Sequence, residues 1–320
     1  MSKTLDRREF FKRFTQASGI LLATTAGSLF FHDRARAEAP AKKLRDHRKG
    51  ISPADRMVVL RGQNIEAMVL KGFDAMGGAG VFIKRGDRVL LKPNMAWDRA
   101  PEQGANTNPL VVAAVVKAAL AAGAREVIVA DVPCNDPKKV LIRSGIRDAA
   151  LKAGAKDVLV PQTGEDVEFG GKVLSTFQVG KEYLEADRII NLPVVKSHSL
   201  SGMTCCMKNW YGLLIGRRHE LHQNINDSIA DLAVAAKPTL TIIDATRILV
   251  HNGPTGGAMS DVVAKDTIVF TTDEVAGDSW AADLMGKTAR ELPYIGLAVA
   301  RGAGKSDYKG LLKEEITVGA

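Results

Sequence analysis

Three short groups of residues carry side chains able to work together on one ligand: Lys92-Pro93-Asn94, Lys196-Ser197-His198 and Lys208-Asn209. Each follows a strand-like run or opens a helix-like one. A lysine at the carboxyl end of a strand, beside a helix amino terminus, is well placed to hold an anion. Taken singly, each lysine reads as well as solvated surface; three at neighbouring strand ends read as a clamp for a phosphate or carboxylate. Lys92, Lys196 and His198 are the candidate catalytic residues, with His198 able to move a proton because an unperturbed imidazole titrates near neutrality. Asn94, Thr204, Lys208, Asn209, His222 and Asp244 are candidate ligand contacts. Gly256, in the loop Gly253-Pro254-Thr255-Gly256-Gly257, joins them because glycines let backbone amides approach an anion. A lone loop histidine is often only a hydrogen-bonded structural group. A metal set of His198, His222 and Asp244 has no recognisable ligand spacing, and no metal is assigned. Asp131, Asp273 and Asp278 read first as helix caps or supporting partners.

The three cysteines, Cys134, Cys205 and Cys206, limit the redox chemistry. A cluster held by four thiolates needs one more, so no Fe–S cluster is expected from this chain's cysteines alone, and the cofactor stays unassigned. Cys205 and Cys206 are adjacent and would form a strained ring if bonded to each other. A bridge from Cys134 to one of the pair, buried free thiols, and a soft-metal site such as one for copper remain open readings. Gly77-Gly78-Ala79-Gly80 precedes a strand, the wrong order for a dinucleotide loop. Walker-type loops, Gly-x-Ser-x-Gly and His-Glu-x-x-His are absent, which leaves dehydrogenase, ATPase, esterase and zinc-protease readings without support.

The elements that must position these residues alternate. Strands are expected at Met57–Arg61, Arg88–Leu91, Glu126–Asp131, Asp157–Val160, Arg188–Val195, Leu240–Asp244, Thr267–Thr271 and Glu315–Val318. Between them lie helix patterns. Asn108 with Pro109 is a cap-plus-proline start for Leu110–Ala122, which is apolar nearly all round and so expected to be buried. Asp136-Pro137 repeats that signal, Met207–Ile215 and Asn226–Ala235 read as helices, and Asp273 caps another. This alternation predicts an α/β fold: a mostly parallel sheet with helices on both faces, plus a small antiparallel excursion near 162–180. In such sheets ligands sit outside the carboxyl ends of the strands, where the three groups fall.

Composition narrows the function classes. The chain has 320 residues, 46% hydrophobic and 5% aromatic, with a formal net charge of +8. It is too apolar to be disordered and too poor in cysteine to be a disulfide scaffold. Seven Lys/Arg and three acids fall in residues 1–37, so half of the net charge sits there. The rest is too little, and the aromatics too scarce, to argue for nucleic acid.

That first segment reads as an address. Arg7-Arg8 precedes an apolar stretch from Ala17 to Phe31, and Ala35-Arg36-Ala37 offers a small-x-small cleavage site. This resembles a bacterial twin-arginine signal, cleaved after Ala37. It implies the twin-arginine translocase as a partner during export and a periplasmic location; an amphipathic first helix and a retained anchor are the alternatives. Residues 38–56 read as a polar linker, and 57–320 as a single α/β domain.

Taken together, Leu91-Lys92-Pro93-Asn94, Asn191-Leu192-Pro193-x-x-Lys196-x-His198, Met207-Lys208-Asn209-x-x-Gly212 and Ile243-Asp244 resemble the motifs of the domain-of-unknown-function family 362. Gly253-Pro254, Asp273-x-Val275-Ala276-x-Asp278 and Gly302-x-Gly304 fit the same pattern. The resemblance spans roughly residues 57–320 and implies a functional core of Lys92, Asn94, Lys196, His198, Lys208 and Asn209. Some relatives carry appended ferredoxin-like cysteine motifs, which implies a possible Fe–S redox partner protein. Cys205-Cys206 depart from the small residues usual at that place. The expectation is an exported enzyme acting on a small anionic ligand. The alternatives are a non-catalytic protein that binds or delivers a cofactor or metal, and an accessory subunit of an exported redox complex.

Overall fold

A computed structural model describes residues 42–52 and 55–319. The export signal expected at 1–37 and the first residues of the expected linker lie outside that range. Linker residues 42–47 contact the domain. Lys42–Lys43 form a short strand against Glu165–Glu168, Asp46 makes a bridge with Lys237, and His47 is buried with Nδ1 3.1 Å from the Asp187 carbonyl oxygen.

The expected α/β architecture is present as a ten-stranded sheet. Its main path runs Leu312–Thr317, Met57–Arg61, Val262–Thr271, Leu240–Leu249, Arg188–Leu192, Arg88–Pro93, Glu126–Ala130, Asp157–Leu159. From Leu240–Leu249 to Asp157–Leu159 every pairing is parallel; Val262–Thr271 runs antiparallel to both of its neighbours. Near-continuous apolar strands are what burial on both faces requires. Alternation shows it: Met57 and Val59 pack into one core, Val58 and Leu60 into the other. Helices Ile65–Ala75 and Pro109–Ala121 cover one face; Ile225–Ala235, Glu274–Leu284 and Pro293–Ala300 cover the other.

The antiparallel excursion is also found. Glu165–Glu168 and Thr176–Val179 pair antiparallel in a separate four-stranded sheet completed by Lys42–Lys43 and Leu214–Ile215.

Three departures from the sequence expectation shape the site. The strand expected at Arg188–Val195 is two strands, Arg188–Leu192 and Val194–His198, because Pro193 has no N–H to continue the ladder. The second piece carries Lys196 and His198 and pairs with Gly202–Thr204. The helix expected at Met207–Ile215 is a single turn, Cys206–Asn209, followed by a 3-10 turn at Trp210–Leu213 and the short strand Leu214–Ile215. Both strands around the Gly253-Pro254 loop are ten residues long, about twice the expected length. Polar residues inside each run, Asp244, Thr246 and Arg247 in one and Lys265-Asp266 in the other, interrupt the apolar pattern and hide the outer halves.

Candidate functional site

The carboxyl ends of the parallel strands converge on a cleft of about 280 Å³. Asn94, Lys196, His198, Thr204, Lys208, Asn209 and His222 all line it, so seven of the ten residues singled out in the sequence meet there. Trp97, Asp131, Cys134, Tyr211, Arg218 and Pro254 complete much of the wall.

The three residues that do not line it have other places. Lys92 lies behind the wall, fully buried, with Nζ donating to Asp131 Oδ1 at 2.6 Å and to the Pro93 carbonyl at 2.8 Å. Burial lowers the Lys92 pKa and the Asp131 carboxylate opposes that shift. Asp244 is a buried structural anchor: Oδ2 accepts from the Asn108 N–H at 2.7 Å, and Oδ1 from the Thr246 N–H and hydroxyl. Asn108 in turn caps the helix Pro109–Ala121 through its side chain. Asp244 therefore supports the sheet edge and is no partner of the two histidines. Gly256 holds a positive φ of 64° against Leu249; its neighbour Pro254 is the loop residue at the cleft.

Below the cleft the amides form a connected network. Lys196 Nζ donates to Asn94 Oδ1 at 2.9 Å and to the Ala105 carbonyl. Asn94 Nδ2 donates to Asn209 Oδ1 at 2.9 Å, and Asn209 Nδ2 to Asn191 Oδ1 at 2.8 Å. Asn191 passes the chain on to Glu274 Oε1 at 2.6 Å, which also accepts from the Thr241 hydroxyl; Glu274 Oε2 accepts from Trp210 Nε1. Burial raises the Glu274 pKa to about 7 against these three donors. The network fixes the side chains of Asn94, Lys196 and Asn209 before any ligand arrives.

The two imidazoles sit in opposite tautomers. His198 Nδ1 faces the backbone N–H groups of Leu200 and Ser201, at 3.1 and 3.3 Å, so it accepts and the proton resides on Nε2. His222 Nδ1 faces the His219 carbonyl at 3.2 Å, which only accepts, so Nδ1 carries the proton and Nε2 keeps its lone pair. Their planes are nearly parallel, 14° apart with centroids 6.4 Å from each other. Burial, then Lys208 and Lys196, push the His198 pKa down to about 2; burial and Lys208 also lower that of His222. Both rings are neutral, one a hydrogen-bond donor and the other an acceptor.

The cations set the charge of the cleft. Lys196 is buried and its pKa is lowered to about 7 by desolvation. Lys208 is 6% exposed, with Nζ 4.2 Å from the centre of the Tyr211 ring, and burial lowers its pKa to about 8. Among the described residues it has no hydrogen-bond acceptor and no carboxylate partner. Arg218 donates to the Tyr211 and Pro133 carbonyls at 2.8 Å each, and approaches Cys134 Sγ at 3.3 Å. The one carboxylate on the wall, Asp131, is engaged by Lys92 and by the Met95 N–H at 2.6 Å. Positive side chains therefore outnumber the one engaged carboxylate on the wall of this half-open cleft, a charge balance that draws anions toward it.

Asp131 was legible, since it ends a strand at the expected sheet edge. Arg218, Trp97 and Tyr211 were missed: Arg218 lies in a 3-10 stretch and Trp97 in a loop, where no periodicity marks them.

All three cysteines are free, so no bridge joins Cys134 to the pair: Cys134 is exposed at the cleft while Cys205 and Cys206 are in the core. Cys205 Sγ, Cys206 Sγ and an Asp278 oxygen lie within 4.8 Å of one another, the set that could hold a soft metal. Asp278 already accepts the Cys206 and Met207 backbone N–H groups, and burial pushes the Cys205 thiol up to about 11, which favours neutral thiols there.

The comparisons with known proteins agree with the placement of these motifs. Residues 89–283 match the family model "Domain of unknown function (DUF362)". The chain is also similar to the thylakoid-associated protein sll1697 of Synechocystis, with 32% identity over 242 residues that cover 69% of this chain and 73% of that protein. The matched segment holds every cleft residue named above, from Asn94 through Lys196, His198, Lys208 and His222 to Pro254, together with Lys92 behind the wall. The chain belongs to the DUF362 family.

Proposed function

We propose that the cleft binds a small anionic molecule, a phosphate or a carboxylate, and acts on it as an enzyme. One observation carries this reading: the Lys208 side chain, 6% exposed overall, lines the cleft with no acceptor for its amine among the described residues. An amine without a protein partner in a narrow cleft is open to a ligand, and the positive side chains beside it favour a ligand that carries negative charge. Lys196 and Arg218 add to the attraction, and their own hydrogen bonds hold them in place beforehand. Preorganised positive charge of this kind stabilises negative charge that develops during a reaction. The His198 Nε2–H is an oriented donor to a ligand oxygen, and the lysine amines are the groups able to gain or lose a proton near neutral pH.

The test is a titration of the full chain with phosphate, acetate and sulfate, read by intrinsic fluorescence, since Trp97 lines the cleft, and by thermal shift. Saturable binding that is lost in Lys196→Met supports the reading. No response to any of the three anions removes it.

The chain is further proposed to be exported by the twin-arginine route, with Arg7-Arg8 and the cleavage site ending at Ala37 as support. The thylakoid association of the Synechocystis relative is consistent with work at or beyond a membrane. Among the described residues no helix is long and apolar enough to cross one. Residues 1–37 fused to a reporter should direct it to the periplasm, and replacing Arg7 and Arg8 by Lys should stop that transfer.

A further inference from the structure

The hydrogen bonds of the site assign three of its four cations to positional work. Lys92 is paired with Asp131, Lys196 is tied to Asn94 Oδ1 and the Ala105 carbonyl, and Arg218 is tied to two carbonyls. Lys208 differs: its amine faces the Tyr211 ring and the cleft, and nothing among the described residues accepts its N–H bonds. A lysine desolvated in an apolar pocket beside other cations is the usual setting of an amine nucleophile. The surrounding tautomers suit a carbonyl partner, because His198 offers an N–H and His222 a lone pair.

We infer that Lys208 is the nucleophile of this cleft and forms an imine with a small oxo acid, an aldehyde or ketone that also carries a carboxylate. The inference rests on the anion-site reading and deepens it by naming the reacting group and the substrate class. The carboxylate is held by Lys196 and Arg218. The neutral amine adds to the carbonyl carbon, forming the N–C bond while the carbonyl electron pair moves to oxygen. That oxygen takes one proton from the nitrogen, giving a carbinolamine. It then leaves as water with the second nitrogen proton, and the C=N bond forms. Atoms and charges balance with no oxidant or reductant. The His198 Nε2–H stabilises the oxygen as it becomes negative, and His222 Nε2 is the acceptor for a proton shed by the substrate. Desolvation and the Arg218 charge supply free amine close to neutral pH.

The experiment uses the full chain with glyoxylate, and separately pyruvate, in the presence of cyanoborohydride near pH 8, followed by peptide mapping. Cyanoborohydride reduces an imine to a stable secondary amine, so the label marks the reacting lysine. The expected result is labelling of Lys208 at least about tenfold above the exposed Lys71 and Lys313, because the cleft holds the oxo acid beside its amine, and suppression by excess phosphate. Labelling of Lys208 no greater than that of Lys71 and Lys313 overturns the inference. If phosphate binds and Lys208 stays unlabelled, imine chemistry fails while the anion site stands. If none of phosphate, acetate and sulfate binds, the anion-site reading fails as well. The map of the unmodified protein decides the matter even if Lys208→Arg does not fold.

Discussion

Lys92 Nζ and Asp131 Oδ1 lie 2.6 Å apart with both side chains buried, at 0% and 2% exposure. The pair joins the ends of two adjacent parallel strands directly behind the cleft wall. Asp131 spends its other oxygen on the Met95 N–H, so one carboxylate fixes both a lysine and the turn that follows it. Removing one partner of such a pair strands the other charge in the core. Asp131→Asn should therefore cost about 3–5 kcal/mol in urea unfolding. Replacing both residues with apolar ones of similar volume should cost less than that single change. Equal losses in the two variants would refute the pairing argument.

Gly212 explains why the motif Met207-Lys208-Asn209-x-x-Gly212 ends in glycine. A Cβ there would stand 1.7 Å from Asp131 Oδ1 and 2.6 Å from Lys92 Nζ. Gly212→Ala must displace the buried ion pair, and the loss should match or exceed the roughly 1–3 kcal/mol typical of overpacking. Gly257→Ala meets no atom within 4 Å and should be nearly neutral. Melting temperatures of the two variants check the contrast.

Anion affinity should depend on pH with a definite sign. Lys196 and Lys208 have pKa values lowered to about 7 and about 8, so each is charged below its value and neutral above it. Phosphate or acetate should bind best at and below neutral pH and weaken as pH rises toward 9. The fall approaches about tenfold per pH unit for each proton required. A bound anion favours the ammonium form, so the decline starts above the values of the free site. The Arg218 guanidinium on the cleft wall leaves a residual affinity once the amines are neutral. Titrations by fluorescence from pH 6 to 9 measure the slope; affinity that rises with pH would sink the proposed role of the amines.

Glu274 ties the floor network to the core by accepting from Asn191, Thr241 and Trp210. Glutamine keeps the size but turns one acceptor into a donor, which must face the Trp210 N–H or the Asn191 and Thr241 donors. Glu274→Gln should lose about 1–3 kcal/mol of stability. Because Asn191 leads on to Asn209 and Asn94, anion affinity should weaken too. Stability lost with affinity unchanged would show that the network does not reach the cleft.

Thiol chemistry should separate the cysteines by position. Cys134 is exposed, while Cys205 and Cys206 are buried. One thiol per chain should react with Ellman's reagent at once and two more only after unfolding in guanidinium. Three prompt equivalents would contradict the burial of the pair.

Much of this protein was legible in its residues. Alternating apolar runs and helix patterns gave the α/β class, because strands covered on both faces must be apolar throughout. Cap-plus-proline signals at Asn108-Pro109 and Asp136-Pro137 marked true helix starts, since both depend on local geometry alone. Polar groups at strand ends identified Asn94, Lys196, His198, Lys208 and Asn209, because a parallel sheet gathers those ends on one edge. What local sequence does not encode is which polar groups meet. Asp244 looked like a ligand contact and is spent on Asn108 and Thr246, while Lys92 is spent on Asp131 across 39 residues of chain. Arg218 and Trp97 reach the cleft from segments without periodicity, and Tyr211 from a stretch that reads as a helix but folds there as a 3-10 turn. The tautomers of His198 and His222 follow from backbone groups that only the folded loops supply. Type and spacing determined the candidates; the pairing of buried charges, a tertiary property, decided which lysine amine was left without a protein partner.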